Sequence, residues 1–151
     1  MKNSILVVAL VVSFLCSCKK EDKKEEVEII PKSNEAVIRE CFESVKGKDT
    51  IQLNINIENQ NVTGNLTYKL FEKDKNVGII QGTMIGDTLF ADYKFMSEGV
   101  ESFRQVAFIK QDGKLSEFYG EVEEKEGKIV FKDKSKLVLN SGFILSSVPC
   151  K

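Results

Sequence analysis

The chain has 151 residues, 42% of them hydrophobic, with 22 lysines and arginines against 23 aspartates and glutamates. A net charge near zero with the two signs interspersed offers no basic stripe for nucleic acid, and the absence of histidine removes the commonest general base and metal ligand. The length suits one domain with a single core.

Lys2 precedes an apolar run, Ile5 to Leu15, broken only by Ser13. That is the length of a secretory leader and short of the roughly 20 apolar residues a bilayer span needs. The segment Leu15-Cys16-Ser17-Cys18 resembles the bacterial lipobox. The resemblance implies that residues 1–17 are a removable signal and that Cys18 is acylated, palmitate-fashion, as the first residue of the mature protein. Residues 18–34 then read as the lipidated cysteine and a tether, because KKEDKKEEVE (19–28) cannot bury enough surface to fold. Lys20-Glu21-Asp22 resembles the surface-export signal of Bacteroidetes lipoproteins, which implies an outer-membrane anchor and display on the cell surface.

Residues 35–151 form the folded domain. A weak helical period at Asn34 to Phe42, with Val37, Ile38, Cys41 and Phe42 on one side, predicts a short N-terminal helix. After Lys46 the period is two, most clearly where Ile51, Leu53, Ile55 and Ile57 alternate with Gln52, Asn54, Asn56 and Glu58. Turn signals at Asn59-Gln60-Asn61, Asp74-Lys75-Asn76, Gly86-Asp87, Asp112-Gly113 and Glu126-Gly127 mark off Val62–Lys73, Gly78–Ile85, Thr88–Phe95, Ser102–Lys110, Lys114–Glu124 and Lys128–Lys132 as strands. A last strand, Lys136–Ser147, places Leu137, Leu139, Phe143 and Leu145 on one side. Single glycines inside strands, Gly64, Gly82 and Gly120, suggest bends or bulges. About eight strands in a meander leave two edges unless the sheet closes. The fold class is therefore all-β, an antiparallel up-and-down barrel of the lipocalin or streptavidin kind, with a β-sandwich as the alternative.

Cys41 and Cys150 flank the strands. In an exported protein two such cysteines pair, which joins the first and last elements of a barrel. The other openings, a soft-metal thiol pair or a redox couple, lack a close-spaced cysteine motif or a histidine partner.

No nucleophile elbow, phosphate-cradling loop, zinc spacing or calcium loop is present, and the acids single out no facing pair. The chain is read as non-catalytic, with no cofactor and no metal. The least ordinary stretch is Met96 to Arg104, the longest connection before the last strand and the seat of one of two arginines. As a lid or rim over the barrel mouth it offers Ser97, Glu98, Phe103 and Arg104 as candidate contacts, with Arg104 pairing an anionic group. Tyr119 joins them, and Tyr68, Tyr93 and Phe118 are of like character. The strand after it is apolar on both faces, so the predicted helix is expected to cover its outside. Asp49-Thr50-Ile51 and Asp87-Thr88-Leu89 resemble O-glycosylation sites of Bacteroidetes exported proteins, which makes Thr50 and Thr88 candidate acceptors.

The runs EKDKNVGIIQGTMIGDTLFADYKFMSEG and FYGEVEEKEGKIVF resemble small lipoproteins of flavobacteria, a likeness that implies envelope location and a barrel but carries no activity. Two functions are expected of such a chain. It is a membrane-anchored barrel binding a small apolar or amphipathic ligand, or a protein–protein module such as a hydrolase inhibitor or envelope assembly factor. Anchored lysozyme inhibitors share the lipobox, barrel and terminal disulfide, but their serine-glycine-arginine-tyrosine loop is missing here, although Ser97–Arg104 is loosely similar in position.

Overall fold

The computed structural model describes residues 36–151. The lipobox, Cys18 and the charged tether lie outside the described residues. Ten strands follow in order: β1 (Ile38–Lys46), β2 (Asp49–Glu58), β3 (Asn61–Lys69), β4 (Asn76–Ile85), β5 (Thr88–Ser97), β6 (Val100–Gln111), β7 (Lys114–Tyr119), β8 (Val122–Lys125), β9 (Lys128–Phe131) and β10 (Val138–Ser147), with a 3-10 turn at Lys134–Lys136. Strands β1 to β7 run up and down as nearest neighbours, β10 pairs with β7 on one side and β1 on the other, and the sheet closes. The domain is an eight-stranded antiparallel up-and-down barrel. Its eight strands are β1 to β7 and β10, while β8 and β9 form a hairpin that joins the sheet beside β6 and takes no part in closing it.

Period two builds the core. Ile51, Leu53 and Ile55 of β2 face Val62, Leu66 and Tyr68 of β3, Ile80 of β4, Leu89 and Tyr93 of β5, Phe108 of β6 and Leu115 of β7. Tyr93, Leu53, Leu66 and Phe108 are fully sequestered, so the middle of the barrel is filled by its own side chains, as expected at eight strands. Hairpins of this wall use turns whose two central residues have positive φ, which matches strand twist. Asp112-Gly113 (φ 50° and 71°) is one and Glu98-Gly99 (φ 49° and 80°) another.

That second turn corrects the reading of Met96 to Arg104 as a long loop. Strands β5 and β6 pair without interruption up to Ser97↔Val100, and only Glu98 and Gly99 lie between them. The longer connection is instead Leu70–Lys75, pinned where the Phe71 amide donates to Asp49 Oδ1 at 2.6 Å. The predicted helix is also corrected, since Ile38–Lys46 is strand β1. Its helical spacing was a coincidence of two burial sites. Phe42 points into the core, whereas neighbouring Cys41 is buried by its disulfide and the C-terminal tail, and Val37 and Ile38 are exposed. The element that lies against β6 is consequently the β8–β9 hairpin and not a helix. The Phe131 amide donates to Gln105 Oε1 at 3.2 Å, and Ile129 pairs in parallel with Arg104. Strand β10 slips register between Leu139 and Ile144, which turns Leu139 outward while Leu145 stays in the core.

The closing seam is the thinnest. Strands β1 and β2 pair along their whole length, but β1 and β10 share only Phe42↔Ser147 and Glu43↔Ser146. The Val148 amide adds a bond of 2.8 Å to the Cys41 carbonyl. The Cys41–Cys150 disulfide, with Cα atoms 5.3 Å apart and 109 residues between them in sequence, locks that seam.

Gly64, Gly78 and Gly82 mark close approaches between strands in regular register rather than bulges. A Cβ on Gly82 would meet the Phe90 carbonyl oxygen and the Ala91 side chain.

Two outcomes follow. Replacing Cys41 and Cys150 by serine lowers stability by about 2–5 kcal/mol in urea denaturation, and the unreduced domain shows no titratable thiol at these positions. Gly82→Ala costs about 1–3 kcal/mol by the same measurement, whereas Gly86→Ala in the adjoining turn, with open space around it but φ +58°, loses only the positive-φ preference.

Candidate functional site

The barrel has two unlike ends. The turns Asn59-Gln60, Gly86-Asp87 and Asp112-Gly113 lie at the end where β1 enters. Inside that end, Lys110 is ion-paired with Glu40 and sits 6.0 Å from the Phe42 ring. The opposite end carries the turn after β1, the Leu70–Lys75 loop and the Glu98-Gly99 turn. Beneath these lies a cluster of polar side chains in the core region, built on strands β3, β5, β6 and β7.

Its centre is Arg104. Inward phase on β6 places its guanidinium 4.8 Å from the Tyr68 ring, 5.6 Å from Tyr93 and 5.8 Å from Phe95. Tyr93 and Phe95 stack at 4.7 Å, so three aromatic rings hold a planar cation in place through cation–π attraction. Arg104 Nε is buried and has no hydrogen-bond partner among the described residues. A desolvated N–H donor left open is costly and is therefore informative.

Glu117 is the buried acid of the site, 3% exposed. Tyr68 donates to its Oε1 at 2.7 Å and Tyr119 to its Oε2 at 3.1 Å. The Tyr93 hydroxyl donates to the Leu66 carbonyl at 2.9 Å. Burial holds the Glu117 carboxyl above the usual range, against the lowering pull of the Tyr68 hydroxyl, Arg104 and Tyr119. Burial likewise pushes the phenols of Tyr68 and Tyr93 well up, so both stay protonated donors at neutral pH. The site thus holds an organised cation, a carboxylate occupied by two phenols, and a packed aromatic floor. It contains no nucleophile–base pair. At the rim Tyr119 is 46% and Val138 64% exposed, and the two lie side by side in register where β7 and β10 begin to pair.

Arg104 and Tyr119 are therefore brought together, through Glu117. Ser97 lies at the end of β5 in phase with Phe95, and Glu98 is exposed in the turn above. Phe103 points to the outside, its ring near Lys94 Nζ at 5.3 Å and Lys128 Nζ at 5.9 Å, and does not join the cluster. Phe118 is outward as well. Thr50 and Thr88 are half-buried strand residues following the turns after β1 and β4. Glu117 was not singled out by sequence reasoning, yet Leu115, Glu117 and Tyr119 share one phase of β7, and an acid on the inward phase was the available signal. Among the described residues no three His, Cys, Asp or Glu side chains gather as a metal site.

No protein-family model matches the chain, and neither the curated proteins nor the solved structures contain a match to it. What it is similar to rests on its fold, and the fold and site define a closed barrel with a polar, aromatic mouth.

The raised Glu117 gives a pH signature. The unfolded chain releases this proton in the ordinary carboxyl range and the folded chain only above it. Stability from Glu117 is complete below that range and is lost as pH rises through the folded value. Urea midpoints fall across that window with a contribution of at most about 1.4 kcal/mol per pH unit for one proton. Glu117→Gln, which keeps an acceptor for Tyr68, removes that contribution from the difference between the two stability profiles.

Proposed function

We propose that this is an envelope lipoprotein, anchored to the outer membrane through acylated Cys18, whose barrel is a non-catalytic module binding a small amphipathic anion at its mouth. The observation that carries the reading is Arg104, a guanidinium fixed on three aromatic rings with a buried donor unsatisfied. Such a group is prepared for a carboxylate or similar anion, because the fork geometry is already set before the ligand arrives. Glu117 does not fill that role, since both its oxygens accept from phenols.

The packed floor of Tyr93, Leu66 and Phe108 leaves no deep lumen for a long chain. The apolar part of the ligand rests instead on the rim formed by Tyr119 and Val138, in a site that is wet on one side. This supports a shallow-binding barrel rather than a hollow carrier. Display on the cell surface and the Thr50 and Thr88 glycans belong to the same proposal only through the sequence resemblances that suggested them.

Titration with decanoate and with uncharged decanol, followed by amide chemical shifts, tests it. Decanoate is expected to bind and to shift β3, β5, β6 and β7, and Arg104→Met to weaken it at least tenfold while decanol is unaffected. Equal binding of the two probes, or no shift with decanoate, removes the reading.

A further inference from the structure

The segment 120–137 is an excursion the barrel does not need. Strand β7 already pairs directly with β10, and the hairpin β8–β9 and the turn Lys134–Lys136 stand between them in sequence but outside the wall. The segment buries little of itself: no residue of β8, β9 or the 3-10 turn is fully buried. It nonetheless is held against the outer face, by the Phe131–Gln105 hydrogen bond and by Lys128 to Asp92 at 3.5 Å. What it creates is a groove of about 300 Å³ between itself and strands β4, β5 and β6. That volume is at the lower end for a small-molecule site.

The lining selects the chemistry of an occupant. Phe90 and Phe131 give two aromatic side chains, Gln81 and Gln105 two amides, and Thr83 and Asp92 a hydroxyl and a carboxylate. Gln105 uses its oxygen on the Phe131 amide, which leaves its NH₂ group as a donor. A peptide strand has nothing to pair with here, because the backbone is already committed through Gln81↔Asp92, Gly82↔Ala91 and Asp92↔Gln105. A purely apolar ligand would strand the amides and the carboxylate without water. The Asp92 charge is offset by Lys128 and the Lys134 ammonium lies 4.9 Å from the Phe90 ring, so the groove has no strong single-sign field to hold a highly charged molecule.

We propose that this outer groove is a carbohydrate-binding site for a neutral hexose unit, whose C–H face stacks on the Phe131 side chain and on Phe90, displacing the Lys134 ammonium from that ring, while its hydroxyls bond Asp92, Gln81 and Gln105. A pyranose has that combination, an apolar face edged with donors and acceptors, and aromatic rings offer the electron-rich face that polarised C–H groups favour. The site is separate from the barrel mouth: the Arg104 side chain turns inward to the aromatic rings, and only its backbone, paired with Ile129, touches the hairpin.

Saturation-transfer NMR on the full-length protein in a zwitterionic detergent tests this, with maltohexaose, xylohexaose, chitotetraose and an alginate hexamer as the probes. At least one neutral hexose oligomer, maltohexaose or chitotetraose, is expected to bind. Gln81→Ala and Asp92→Asn, both at exposed positions, are each expected to weaken it at least fivefold with the circular dichroism spectrum unchanged, and Phe90→Ala to abolish it. Saturating decanoate leaves it intact. Absence of transfer from both hexose oligomers overturns the proposal. So does binding that survives both Gln81→Ala and Asp92→Asn, binding that decanoate displaces, or binding of the alginate hexamer alone that Lys134→Ala removes.

Discussion

Closure of the ribbon on itself is the constraint from which the remaining structure follows. A meander of eight strands buries one face of each only if the first strand meets the last, and here that meeting rests on two ladder pairs, one further backbone bond and the Cys41–Cys150 disulfide. Apart from β7 and β10, which the 120–137 excursion separates, neighbouring strands of the wall arrive by short connections and pair with little loop entropy to overcome. The seam joins the residues furthest apart in the chain, so there a covalent link has the most chain entropy to remove. With the seam held, inward residues such as Leu53, Leu66 and Phe108 reach full burial and the core forms.

A filled barrel has to place its function at its ends or on its outside. The middle holds apolar side chains at interior density, and polar groups collect above and below it. The two ends solve the problem of buried charge differently. Glu40 and Lys110 neutralise each other at the entry end through Glu40 Oε1, while Glu40 Oε2 is left without a hydrogen-bond partner. At the mouth, Glu117 is satisfied by tyrosine hydroxyls and Arg104 by aromatic faces, which leaves the cation short of a hydrogen-bonding partner. Both ends thus keep one open polar atom, but at the entry end the charge itself is compensated by an ion pair and at the mouth by aromatic rings.

Much of this was legible in the residues. The alternation of β2, the turn dipeptides and the placement of two cysteines outside the strands were enough to expect an all-β barrel with its ends joined, because each is a local signal of period or turn chemistry. Two of the differences share one cause, burial from outside the wall. Cys41 is buried on the outer face by its partner and the C-terminal tail, which made β1 look helical. Phe103 is apolar on the outside of β6 where a hairpin from further along the chain lies against Phe103, Arg104 and Gln105, and no local pattern announces that. Met96 to Arg104 was read as a loop since Ser97, Glu98 and Gly99 together look like one, although a turn of two residues suffices when both accept positive φ. Arg104 could be noticed from its rarity, but its aromatic cradle comes from three strands and exists only after folding.

The direction of β1 has a geometric consequence. Ile38 and the last residue, Lys151, both lie at the end carrying the Glu40–Lys110 pair, where the Arg39 guanidinium reaches the Lys151 carbonyl at 3.4 Å. Cys41 follows Ile38 by three residues and Cys150 precedes Lys151 by one, so a single covalent clasp gathers both of these segments at the same base. The other end, with the Leu70–Lys75 loop and the Glu98-Gly99 turn, is spanned by loops alone, so insertions in those loops leave the clasp untouched.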